Sequence, residues 1–104
     1  IYAPTDNTIA TGMPTVALVA NSNNLPVFCG EEGMVNNGGL ATYGIDYYKL
    51  GRLTGEQAVK IIKKEATTAT MPIAYLPDDE YTLTVNEEVA KQLGIEIPED
   101  IRSN

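Results

Sequence analysis

Histidine is absent from this chain, and cysteine occurs once, as Cys29. Without histidine there is no His-based catalytic triad and no zinc site of the usual Cys/His kind. A single cysteine excludes an internal disulfide. With no histidine to take its proton, Cys29 reads as a small buried hydrophobe at a strand end and not as a nucleophile. Basic residues are scarce: 7 Lys and Arg stand against 14 Asp and Glu, for a net charge of −7. An acidic surface repels phosphate backbones and anionic lipid head groups, so no nucleic-acid partner is expected. No apolar run is long enough to span a membrane. The glycine clusters Gly38-Gly39 and Gly30-x-x-Gly33 are followed by no Lys-Ser/Thr and do not fit the dinucleotide fingerprint, and no cofactor is expected.

What is present has an ordinary globular balance: 104 residues, 43% hydrophobic and 20% charged. That suits one small domain or part of a larger one. Ile1-Tyr2-Ala3 already reads as a strand, and a chain that begins inside a strand is expected to be a fragment. Pro4-Thr5-Asp6-Asn7 has turn chemistry. Ile9, Ala10, Met13, Val16, Ala17 and Ala20 then recur at helical spacing. Pro14 means that this helix either bends or restarts there. Leu25–Cys29 reads as a buried strand, Gly30-Glu31-Glu32-Gly33 as a loop, and Leu40–Ile45 as a third strand.

The strongest helix runs from Tyr47 to Glu65, with Leu50, Leu53, Ala58, Ile61 and Ile62 as its apolar stripe and Glu56–Lys60 as a surface pair. Gly51 and Gly55 share a face and are useful there only if another backbone packs close. Ile73–Leu76 and Tyr81–Val85 read as further strands. Asn86 caps a short helix that Gly94 ends, and Pro98-Glu99-Asp100 marks a helix start in the tail.

Strands alternating with helices imply an α/β fold with a mainly parallel sheet. Ligands of such sheets bind at the carboxyl ends of the strands. Three segments leave those ends: Thr5-Asp6-Asn7, Gly30-Glu31-Glu32 and Gly44-Ile45-Asp46. If the strands are parallel, all three face one crevice.

At these same segments the chain resembles a known family. Tyr2-Ala3-Pro4-Thr5-Asp6-Asn7-Thr8 is similar to the "Y-x-P-T-D-N" stretch of ABC-type substrate-binding proteins with the type I periplasmic-binding fold. Pro26-Val27-Phe28 followed by an acidic loop also matches. The run from Gly44 to Gly55 resembles the family's "G-V-D-Y-Y-x-L-G-R-x-T-G", and Met71-Pro72-Ile73 and Ala90 to Pro98 resemble its C-terminal end. Pro14 and the paired Glu31-Glu32 depart from the pattern.

The resemblance covers nearly the whole chain, in order, but less than half of a mature family member. It implies an incomplete, Rossmann-like three-layer α/β/α lobe. Residues 1–40 would belong to the C-terminal lobe. Residues 41–76 would cross the hinge and pack a helix on an absent N-terminal lobe, and residues 77–104 would return. It also implies a non-enzymatic solute binder of an ABC importer, periplasmic or a cell-surface lipoprotein. Such a protein delivers a small solute, an aromatic amino acid in some members, to a membrane permease. The alternative is an effector-sensing domain of a transcription regulator, which shares the two-lobed fold. A phospho-acceptor domain using Asp6 fits poorly, since no lysine follows a suitable strand.

The candidate ligand-binding residues are Thr5, Asp6, Asn7, Glu31, Glu32 and Asp46. A carboxylate suits an ammonium group, and hydroxyl, amide and backbone N–H groups suit a carboxylate. A helix starting near Asn7 would turn its N-terminus toward an anionic group. Each residue has a plainer reading beside this one. Asp6, Asn7 and Asp46 suit helix caps, and Glu31-Glu32 a solvated acidic turn. Tyr47 and Tyr48 could stack on an aromatic solute, but packing at the helix start is the simpler role. Crossing strands and a lobe-packing helix would leave apolar surface exposed, so self-association of the fragment is expected.

Overall fold

The computed structural model describes residues 1–102. In chain order its elements are β1 (Tyr2–Ala3), α1 (Asn7–Thr11), α2 (Met13–Ser22), β2 (Phe28–Cys29), α3 (Glu32–Asn36), β3 (Ala41–Gly44), α4 (Tyr47–Ile62), β4 (Thr82–Val85), α5 (Glu87–Leu93) and α6 (Glu99–Arg102), with a 3-10 turn at Asp78–Glu80. They fall into two compact units. One holds Ile1–Gly44 and the chain from Thr82 onward, and the other holds Ile45–Tyr81.

The first unit is built on one sheet of order β1-β2-β3-β4. β1, β2 and β3 run parallel, and β4 lies antiparallel to β3 with Thr42 opposite Thr84 and Gly44 opposite Thr82. The mainly parallel α/β sheet expected from the alternation is what forms. Side chains alternate across it. Ala3, Cys29 and Thr42 are buried, while Tyr2, Phe28 and Tyr43 are 70%, 50% and 62% exposed. Ala3, Met13, Ala20, Val27, Cys29, Met34 and Val35 make the main core, with Ile9, Ala10 and Val16 packed on it. A smaller core joins Leu40 to Val89, Ala90 and Ile97.

Pro14 resolves the choice the sequence left open. The helical stretch breaks at Gly12, and Pro14 sits in the first turn of α2, where its missing N–H costs no hydrogen bond. The segment read as a loop after Cys29 contains α3 instead. Glu31 supplies that helix's cap, and Met34 and Val35 are fully buried against the sheet, which pulls a short turn into helix. Asn86 caps α5 by accepting from Val89 N at 3.1 Å, and its amide also donates to Val35 O at 3.1 Å, tying α5 to α3. Gly94 closes α5 in the left-handed region at φ 67°.

The second unit is dominated by α4, a strongly amphipathic helix none of whose residues is buried. The strand expected at Ile73–Leu76 does not form. Those residues carry no regular structure, and Ile73 and Tyr75 are 80% and 78% exposed. The physical reason is the lack of a partner: a strand needs a neighbour to pair with, and Ile45–Tyr81 contains no strand. Leu76 is the buried hydrophobic residue of this unit, 8% exposed.

Candidate functional site

Parallel alignment of β1 and β2 places the turns after them side by side. Gly30 N donates to Ala3 O at 2.9 Å, so the second turn starts on the end of the first strand. A Cβ at Gly30 would collide with the Thr5 hydroxyl and backbone N. Only glycine therefore lets the Thr5 and Glu31 turns touch. Gly44, at the end of β3, continues the row: a Cβ there would lie 3.3 Å from Gly30 O and 3.8 Å from the Glu31 Cα. The first unit thus brings Thr5, Asp6, Asn7, Glu31 and Glu32 to one end of its sheet, at the carboxyl ends of adjacent parallel strands.

Within that row the carboxylates have local work. Asp6 Oδ1 accepts from Thr8 N at 2.9 Å and from Ile9 N at 3.0 Å, capping α1. Glu31 spends both oxygens on α3: Oε2 accepts from Gly33 N at 2.9 Å and Oε1 from Met34 N at 2.8 Å. Asp46, in the second unit, caps α4 through Oδ1, which accepts from Tyr48 N at 2.9 Å and Lys49 N at 3.2 Å. The capping reading holds for Asp6 and Asp46; Asn7 is the first residue of α1 and not its cap, and Glu31, expected in a solvated acidic turn, caps α3 instead. Capping leaves the second oxygen of Asp6 outside any hydrogen bond with the described residues.

Thr5, Asp6, Asn7 and Glu32 are exposed, and Glu31 is half-buried. Asn7 opens α1, and its backbone carbonyl accepts from the Thr11 hydroxyl at 2.8 Å. The row therefore offers a hydroxyl, an amide and an anionic oxygen to a small polar molecule. Among the described residues no cluster of acidic or sulfur side chains is arranged to hold a metal. Tyr47 and Tyr48 begin α4 at 55% and 75% exposure and line a shallow groove along it with Gly51, Gly55 and Val59.

Two residues of β3 beside the strand-end row carry no role that their residue type announces. In the sequence Gly44 is part of the third strand and of the segment that leaves it, and Thr42 is one strand residue among others. The available signal was period-two alternation, which puts Leu40, Thr42 and Gly44 on one face of the third strand.

The family model described as ABC transporter substrate binding protein matches residues 1–104. The chain is 41% identical over 96 residues to a tyrosine-binding protein of Clostridioides difficile (strain R20291), covering 92% of this chain and 27% of that protein. A ligand-free, open structure of a substrate binding protein with adhesive properties from Clostridium difficile matches with a TM-score of 0.71 and 44% identity, over 95% of this chain and 32% of that one. The ABC domain from Streptococcus pneumonia in complex with L-Trp matches with a TM-score of 0.84 and 37% identity, over 99% of this chain and 34% of that one. The chain spans about a third or less of the length of each.

Proposed function

Because this chain belongs to the ABC transporter substrate-binding protein family, we propose that it is part of an extracytoplasmic solute receptor that captures an aromatic amino acid and delivers it to a membrane permease. The observation that carries this reading is the strand-end row. Thr5 meets Gly30 where adjacent parallel strands end, with Asp6 and Asn7 following in the first turn and Glu31 in the second, in a chain whose relatives include a tyrosine-binding protein and a structure complexed with L-Trp.

In this reading the solute's ammonium group sits by the outer oxygen of Asp6. The Thr5 hydroxyl and Asn7 amide hold its carboxylate, with the acidic Glu31-Glu32 turn close by. The second lobe that closes on the solute comes from the rest of a longer protein, and α4 packs against that lobe through its unburied face. Anchoring as a lipoprotein belongs to the same proposal. Nothing in the row calls for turnover, because capture needs only hydrogen bonds and charge.

The test uses the longer natural protein that carries this chain, titrated with L-tyrosine, L-tryptophan and the other amino acids by calorimetry and thermal shift. A ligand that binds the native state raises the melting temperature by linkage. The expected result is a concentration-dependent rise with an aromatic amino acid. Asp6→Ser keeps a capping oxygen but removes the charge, so affinity falls by about tenfold or more while stability changes little. Absence of any shift across the amino acids, or full affinity in Asp6→Ser, would remove the reading.

A further inference from the structure

Thr42 has no structural reason to be threonine. It is 5% exposed, and its hydroxyl oxygen has no hydrogen-bond partner among the described residues. A hydroxyl cut off from both water and partner raises the free energy of the fold, whereas valine would fill the same shape without that cost. The surroundings of this oxygen are specific. It lies 3.2 Å from the point where a Gly44 Cβ would be, and Gly30 O lies 3.3 Å from that same point. The absent side chain of Gly44 therefore leaves open the space between the Thr42 hydroxyl and the turn that carries Glu31. On its other side, Gly30 is pressed against Thr5. A small movement of this one turn would bring an acceptor to Thr42 and shift both walls of the strand-end row.

We infer that Thr42 is a positioning residue of the solute crevice. When a solute occupies the row, the Gly30–Glu31 turn settles onto β3, and the Thr42 hydroxyl donates to the Gly30 carbonyl. The unpaired hydroxyl raises the free energy of the arrangement seen here, and the hydrogen bond lowers that of the occupied one. Only such a difference between two states can favour binding. Glycine at position 44 is part of the device, because a methyl group there would fill the space that the hydrogen bond crosses. This inference rests on the solute-binding reading above and adds to it a residue outside the contact row.

The experiment compares Thr42→Val, Thr42→Ser and the wild type in the longer natural protein. Melting temperature is measured without solute, and calorimetric affinity is measured for L-tyrosine and L-tryptophan. Thr42→Val is expected to melt at the same or a higher temperature and yet to bind about tenfold more weakly, the worth of one hydrogen bond gained only on binding. Thr42→Ser is expected to bind nearly as the wild type does. Stability and affinity moving in opposite directions is a signature that a merely packed side chain does not give. Unchanged affinity in a stable Thr42→Val protein overturns the inference and leaves the receptor reading standing. So does a loss of both stability and affinity that serine does not restore. If the wild type binds neither amino acid, both readings fall together.

Discussion

The two units of the chain solve the same problem unequally. Residues 1–44 and the segment from Thr82 onward wrap helices over a sheet and bury Met13, Met34, Val27 and Val35 almost completely. Residues 45–81 contain the longest helix, yet α4 buries none of its residues, and Ile62 is 78% exposed. The lesson concerns where stability comes from. A strong amphipathic pattern makes a helix, but only packing against something makes it a source of fold stability. The first unit has that partner within the chain. The second carries an apolar stripe that no element of its own unit covers.

The largest expected effect tests that contrast directly. Met34→Ala in the core should cost about 2–5 kcal/mol, from lost burial and the cavity left behind. Ile62→Ala on α4 should stay within about 0.5 kcal/mol in the same chain, as surface changes do. Urea denaturation of the two variants measures both. Equal losses would mean that α4 is packed after all.

A smaller effect of opposite sign sharpens the comparison. A Cβ on Gly55 would meet nothing within 4 Å. Gly55→Ala should therefore stabilise α4 by about 0.5–1 kcal/mol, read from hydrogen exchange of its amides. In the longer natural protein the gain should vanish or reverse if another backbone packs on that face.

The smallest effect lies back in the core. Burial first, and the Glu31 carboxylate second, push the Cys29 thiol above its ordinary 9.0. The folded chain then holds this proton more tightly than the unfolded chain does. The associated stability is full below the ordinary value and is lost as pH rises through the raised one. The denaturation midpoint of the wild type should fall more steeply with rising pH above about 9 than that of Cys29→Ala. Parallel slopes would mean the thiol keeps its ordinary affinity for the proton.

Much of the first unit was legible from residue order. The strand–helix alternation, the cap at Asn86, the stop at Gly94 and the turn at Thr5-Asp6-Asn7 all stand where the pattern puts them. The position of the strand-end row was legible as well, because the carboxyl ends of parallel strands lie at one end of the sheet whatever their side chains are. The role of the acids was legible only as a choice. Asp6 and Asp46 each sit one residue before an expected helix, so a cap and a ligand contact look alike until the hydrogen bonds are seen, and for Glu31 even the cap was hidden because α3 was not expected. Thr42 was not legible, since nothing in a strand's alternation says whether a hydroxyl pointing inward will find an acceptor.

The sequence by itself determined much that depends on residues within about one helical turn of each other: the cap at Asn86, the stop at Gly94, the amphipathic stripe of α4 and the turn chemistry at Thr5-Asp6-Asn7. Family membership was legible at the same range, in the motifs around Asp6 and Asp46. Only the tertiary structure decided what depends on distant partners. It set β4 antiparallel beside β3, folded the Glu31 turn into α3 through the burial of Met34 and Val35, and left Ile73–Leu76 without a strand to join. It also brought Gly30, Thr42 and Gly44 around one shared space. Capping and periodicity are local energies, whereas pairing and burial are settled by which residues far along the chain arrive at the same place.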